Sequence, residues 1–165
     1  IDMYALAFDS SGNLISSNST LKQNIITYLS QFRTIGDSIA IKDAFVINIG
    51  VDFEIITLPN FNSNEVLRKC ILALQQYFNI LNWQINEPII YKDLNVLLDR
   101  VEGVQTVKTL TISNKNINNS GASYSQYAYD TQGATLNGVL YPSIDPMIFE
   151  VKYPNSDITG RIVNL

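Results

Sequence analysis

The segment 62–81 constrains the fold more than any other part of the sequence. Asn62, followed three residues later by Glu65, resembles a capping box and marks the start of a helix. The apolar residues that follow recur at the spacing of one helix face. They are Leu67, Cys70, Ile71, Leu74, Tyr77, Phe78 and Leu81. Such a continuous apolar stripe predicts a helix that packs against a large apolar surface.

The run 45–56 is predicted to supply that surface, because β-branched and aromatic residues dominate it. Gly50 lies inside this run and indicates a bulge. A helix is also predicted from residue 19 or 20 to a stop at Gly36, and a shorter one over 93–101. Further strands are predicted over 3–8, 39–41 and 104–112.

The order of these elements, β-α-β-β-α-(α)-β, is that of a split βαβ or ferredoxin-like arrangement. We therefore expect an α+β fold with a ferredoxin-like domain over 1–112. The remainder, 113–165, begins with an arm rich in Asn, Ser and Tyr and continues as short strands, so that it forms a β-rich C-terminal extension. These strands are too few to form their own core. They are expected to pack against the first domain or to pair with another chain.

The composition is low in charge and rich in tyrosine. Charged residues make up 16% of the chain, the net charge is −4, histidine is absent and there are nine Tyr. A surface of neutral polar groups and Tyr is typical of protein interfaces. The codon bias of an AT-rich genome would produce the same composition. The negative charge argues against nucleic-acid and anionic-membrane partners.

Few residues are candidates for chemistry. Asp52 and Glu54 lie on one face of a predicted strand. Their spacing suits a catalytic carboxylate pair, and it equally suits two side chains on the solvated face of a half-buried strand. A calcium site would draw on Asp145, Glu150 and Asp157, but their spacing matches no calcium loop and also suits turns. Cys70 lies on the apolar stripe with no histidine to act as its base, which predicts a buried, inert thiol. The sequence contains no phosphate-loop motif. We expect no enzymatic activity, no cofactor, no metal and no small-molecule substrate.

No run of about eighteen apolar residues and no signal peptide are present, which predicts synthesis as a soluble protein in the cytoplasm. Because the sequence begins with Ile1, it is expected to be part of a longer chain.

Several of these segments together resemble the baseplate J-like family of phage-tail proteins. The similar segments are 50–59, the helix to Leu81, residues 83–86, and 93–104, which ends in Gly103-Val104. Residues 140–142, 146–154 and 157–160 resemble the C-terminal end of inner-ring wedge subunits of T-even-type contractile-tailed phages. The resemblance covers nearly the whole chain.

This resemblance implies a structural subunit of the virion tail baseplate, assembled in the host cytoplasm. Such subunits associate with themselves, as a homodimer or ring, and with neighbouring wedge proteins. The family has no catalytic residues to transfer. From the Tyr-rich composition we expect the interface to include Tyr124, Tyr127, Tyr129, Tyr141 and Tyr153. The alternative is a surface- or carbohydrate-binding module of a phage tail, since Tyr and Trp83 with Asn and Asp also suit sugar recognition.

Overall fold

One long strand organises the computed structural model, which describes residues 1–34 and 36–164. The strands are β1 (Asp2–Ala5), β2 (Ala7–Phe8), β3 (Leu14–Ile15), β4 (Ala40–Asp43), β5 (Phe45–Thr57), β6 (Ile89–Ile90), β7 (Val104–Lys115), β8 (Thr135–Leu136), β9 (Val139–Leu140), β10 (Met147–Glu150) and β11 (Ile158–Ile162). The helices are α1 (Ser19–Ser30), α2 (Ser63–Tyr77), α3 (Tyr91–Asp99) and the single turn α4 (Pro154–Asp157).

The main sheet is built on both edges of β5. On one edge β7 pairs antiparallel with β5, from Asn48 opposite Lys115 to Thr57 opposite Val104. On the other edge β10 and β11 follow one another, both parallel to β5. The turn α4 lies between them, so the chain leaves the edge of β5 after β10 and returns to it as β11.

The face of the sheet formed by alternate β5 residues carries the core. These are Ile47, Ile49, Val51, Phe53 and Ile55, all buried. Helices α2 and α3 cover this face with Val66, Cys70 and Leu74 from α2 and Leu94 and Leu98 from α3. Residues on both sides of position 112 belong to this one core, including Leu140, Met147 and Phe149.

Close approach between β11 and α2 requires a glycine in β11. A Cβ on Gly160 would lie 2.4 Å from the Phe53 ring and 2.7 Å from Leu67. Because both neighbours are packed in the core, a larger residue would push α2 away from the sheet.

The shorter strands form three separate sheets. Strands β1 and β4 make a two-stranded parallel sheet, β2 and β3 a two-residue hairpin, and β9 lies between β6 and β8. Among the described residues before Ala44, Ser17 is the one buried residue. We call residues 1–34 and 36–43 the N-terminal region.

The predicted α+β class is confirmed, and the predicted strand of 104–112 and the helix of 93–101 match β7 and α3 closely. The ferredoxin-like order is not confirmed, since β1 and β4 form their own sheet and β10 and β11 are parallel to β5. The division at residue 112 stays a prediction; it falls inside β7. The C-terminal strands follow the first of their two expected alternatives, because β10 and β11 pair with β5, and β9 with β6, of the same chain.

Candidate interaction surfaces

Helix α1 leaves part of its apolar stripe uncovered, because Ile25 and Leu29 are half-buried whereas Leu21 and Tyr28 are exposed. Asn18 caps the helix, with its side-chain oxygen accepting from Leu21 N at 2.7 Å. Part of the predicted stripe faces outward: Tyr28 is 61% exposed and Phe32, just past the helix, is 70% exposed. The two rings contact each other with centroids 5.3 Å apart. No α1 residue is buried. Exposed apolar side chains grouped in this way make α1 a candidate interaction surface.

Polar contacts rather than core packing hold α1 to the sheet. The Asp43 carboxylate, at the end of β4, accepts from Lys22 Nζ at 2.6 Å. Its other oxygen accepts from the Ser17 backbone N–H and hydroxyl, each at 3.1 Å. These bonds fix the first turn of α1 and leave the rest of the helix without a comparable anchor among the residues that the structure describes.

Two of the five predicted interface tyrosines already use their hydroxyls within the chain. The Tyr124 hydroxyl donates to Asp157 Oδ1 at 2.6 Å, and burial together with this bond raises the Tyr124 pKa to about 12. The Tyr129 hydroxyl donates to the Tyr141 carbonyl at 2.6 Å, while its ring packs edge-on against Phe149. Both side chains therefore stabilise the monomer.

The other three predicted tyrosines are exposed, at Tyr127, Tyr141 and Tyr153. Tyr127 packs edge-on against Phe45 with ring centroids 4.9 Å apart. Tyr153 packs in the same way against Tyr124. Tyr124 thus contacts Tyr153 and lines one cleft together with Tyr127, and the role of these tyrosines in an interface stays a prediction.

A buried polar network that the sequence analysis missed lies beneath this surface. Glu150 is 3% exposed and accepts from Leu14 N at 2.8 Å and from Asn48 Nδ2 at 2.7 Å. Asn48 Oδ1 in turn accepts from Ser125 N at 2.8 Å. The network joins the β2–β3 hairpin, the central strand and the segment after β7. Burial raises the Glu150 pKa, because the charged carboxylate is removed from water.

A cleft of about 310 Å³ opens above this network. One wall is formed by residues 14–16 and the other by residues 124–127, and Ala44, Phe45 and Val46 lie between them. Lys152 reaches the Ser123 carbonyl. The cleft is therefore lined by aromatic rings and by charged groups, Asp43, Glu150 and Lys152, that already have partners within the chain.

The remaining sequence candidates have structural contacts. Asp52 accepts from Thr159 Oγ1, and Glu54 lies 3.3 Å from Arg161 and accepts from Thr109. These side chains share one open face of the sheet. Among the described residues no group of three or more His, Cys, Asp or Glu is placed to hold a metal ion.

Cys70 and Asp157 are both buried. Burial raises the Cys70 pKa to about 11, so its thiol is protonated at neutral pH. Asp157 accepts from Tyr153 N at 3.0 Å in addition to the Tyr124 hydroxyl, and thus organises the turn α4.

Within the described residues, no helix has both the length and the apolar character needed to cross a bilayer. Comparison of the chain with known protein-family models and with curated proteins found no match.

Proposed function

We propose that this chain is a structural assembly module, a subunit of a contractile phage tail baseplate that associates with itself and with neighbouring wedge proteins. The observation that carries the proposal is the group of exposed apolar side chains on and just after α1, at Leu21, Tyr28 and Phe32. Covering it removes Tyr28 and Phe32 from water, and the helix has no unpaired charge to desolvate, because Lys22 is held by Asp43.

The baseplate assignment rests on the resemblance of segments 50–59, 93–104 and 146–154 to the baseplate J-like and wedge families. In this proposal the chain has no enzymatic role, cofactor or small-molecule substrate, and it functions in the virion tail after assembly in the host cytoplasm. The ferredoxin-like description belongs to the same proposal. Two helices on one sheet face support it, whereas the parallel pairing of β10 and β11 with β5 departs from it.

Self-association is tested first by light scattering coupled to size-exclusion chromatography over a wide range of protein concentrations. We expect a concentration-dependent dimer or larger ring. Replacing Tyr28 and Phe32 together by Ser should shift the chain to monomer while leaving its unfolding midpoint unchanged, because neither side chain is part of the core.

The matched control is Leu81→Ser, since Leu81 is also highly exposed but lies outside α1. It should associate like the wild type. A second variant, Tyr127→Ser with Tyr141→Ser, tests the exposed tyrosines without breaking the hydroxyl bonds of Tyr124 and Tyr129. A wild-type chain that stays monomeric at every concentration would contradict self-association and favour a surface-binding module.

The location is tested separately by immuno-electron microscopy of virions with antibodies raised against the chain. Label at the tail end supports the baseplate assignment, and label elsewhere on the particle contradicts it.

A further inference from the structure

The edge of β5 that pairs with β7 is incomplete at its start. Strand β7 pairs with β5 only from Asn48 onward, whereas β5 begins at Phe45. Phe45 N donates to Pro146 O at 2.9 Å, on the β10 side. Because successive residues of a strand direct their backbone groups to opposite edges, the Val46 N–H and C=O point to the β7 side.

Val46 finds no hydrogen-bond partner on that side. Strand β7 has ended at Lys115, and the ladder partner of Val46 is Ile148 on the β10 side. Outside the strand ladders, no hydrogen bond within the described residues reaches the Val46 N–H or C=O. Val46 is half-buried and lines the cleft between residues 14–16 and 124–127. An unpaired donor and acceptor on one residue of a strand edge is a template for one more strand.

We propose that this cleft binds a short extended segment of another protein, which adds to the sheet by pairing its backbone with Val46. One residue of an extended chain presents a C=O and an N–H at the spacing needed to bond both Val46 groups. The cleft volume of about 310 Å³ lies at the lower end of the range for ligand sites, which suits a few residues rather than a domain.

The walls define the chemistry of the segment. Phe45 and Tyr127 form an aromatic rim, so an apolar or aromatic side chain beside the paired residue is favoured. The charges around the cleft already have partners, because Lys22 holds Asp43 and the Ser123 carbonyl holds Lys152. At the base of the cleft, the Asn48 side-chain amide donates a hydrogen bond to the Glu150 carboxylate. The segment is therefore uncharged at the paired residue.

The site is separate from the α1 stripe and goes beyond the proposed function, which does not depend on it.

The first measurement is amide hydrogen exchange by NMR on the full chain at concentrations where it is monomeric. Val46 should exchange faster than its neighbours Phe45 and Ile47, whose amides point to β10. A Val46 amide that is already protected in the free monomer would overturn the proposal, since the strand edge would then be occupied within the chain.

The binding test uses an immobilised library of random, end-blocked hexapeptides, screened with the full chain. Selected peptides should protect the Val46 amide, and methylation of the paired backbone nitrogen should weaken them about tenfold, the loss expected for one hydrogen bond. A library that yields no peptide protecting Val46, or binders insensitive to methylation at every position, would refute strand addition.

Two variants separate the site from folding. Val46→Pro removes the N–H donor and should abolish binding, and Tyr127→Ala removes part of the rim and should weaken it while leaving Val46 in place. Thr109→Ala, on the open face of the sheet, is the control. Protection of Val46 that rises with protein concentration without peptide would identify a second copy as the occupant and overturn assignment to a different protein.

Discussion

Helices α1 and α2 begin alike in sequence and end in different environments. Each has an Asn cap and an apolar stripe, and each follows the pattern of an amphipathic helix. Helix α2 buries Val66, Cys70 and Leu74 against the sheet, whereas no residue of α1 is more than half-buried. The difference lies in the surface opposite. The core-forming residues of β5 face α2. Helix α1 instead contacts β4 of the two-stranded β1–β4 sheet, which offers little apolar area to cover.

This comparison shows that amphipathic character predicts a helix but not its partner. In α2 the stripe stabilises the monomer. In α1 the same kind of stripe remains available to another molecule. The following changes separate the two roles, from the largest expected effect to the smallest.

The largest effect is expected from Leu74→Ala in α2. Leu74 is fully buried, so the change should lower the free energy of unfolding by about 2–5 kcal/mol through lost burial and the cavity left behind. Urea denaturation measures it. Phe32→Ala is the comparison variant in the N-terminal region and should change the free energy by less than about 0.5 kcal/mol. Equal losses for the two variants would mean that α1 is as well packed as α2.

A smaller effect is expected from the helix caps. Asn62 Oδ1 accepts from Asn64 N and Glu65 N, and Asn62→Ala should lower the global free energy of unfolding by about 1 kcal/mol. Asn18→Ala should leave the global midpoint unchanged and instead accelerate amide exchange within α1, because a helix with no buried residue is expected to open independently of the core. Native-state hydrogen exchange distinguishes the two. A global loss from Asn18→Ala would show that α1 unfolds with the core.

The smallest effect is expected from the bond that ties the N-terminal hairpin to the sheet. Burial raises the Glu150 pKa above the ordinary value of 4.5. Between 4.5 and the raised value the folded chain binds more protons than the unfolded one, so stability falls as pH rises through this window.

Glu150→Gln removes this titration and should flatten that part of the profile. The measurement is the free energy of unfolding as a function of pH, taken as the difference between wild type and variant. Glu102→Gln, at an exposed position, is the control and should leave the profile unchanged. A wild-type profile that rises through the same window relative to Glu150→Gln would contradict the raised pKa.

The sequence predicted the elements that depend on local pattern. Strand β5, helix α3 and the start of α2 follow from periodicity and capping. Helix α2 was expected to reach Leu81 but ends at Tyr77, because Asn79 caps a separate 3-10 turn over Ile80–Asn82. Of the predicted apolar residues beyond Tyr77, the C-cap Phe78 is buried but Leu81 is exposed, so the sequence periodicity continued past the end of the packed helix.

Strand pairing depends on contacts between distant segments, which no local pattern records. Gly50 was expected to mark a bulge, but its pairing with Ser113 is regular and the register shifts fall between Glu54 and Ile55 and between Ile56 and Thr57. Gly50 has a different effect: a Cβ there would lie 2.5 Å from the mobile end of the Lys115 side chain and 3.2 Å from the Asp157 carbonyl, so a side chain has little room. Both neighbours are remote in sequence.

The candidate surfaces also combine features that the sequence predicts with features that depend on contacts between distant segments. The tyrosines were found from composition, but composition does not show that Tyr124 and Tyr129 donate hydrogen bonds within the chain. The Glu150–Asn48 pair had a weak signal, because each residue interrupts an apolar run. Only the register of β10 on β5 places the two opposite each other.

The tandem pairing of β10 and β11 on β5 has a consequence for synthesis. The contact between Asn48 and Glu150 spans 102 positions of the chain. As the ribosome releases β5, one complete edge of this apolar strand stays without its partner until those later residues emerge. Contacts of such long range slow folding, and exposed strand edges favour aggregation in the interval. We therefore expect folding of the nascent chain to depend on how soon β10 and β11 are synthesised after β5. Slower translation between these segments should increase misfolding.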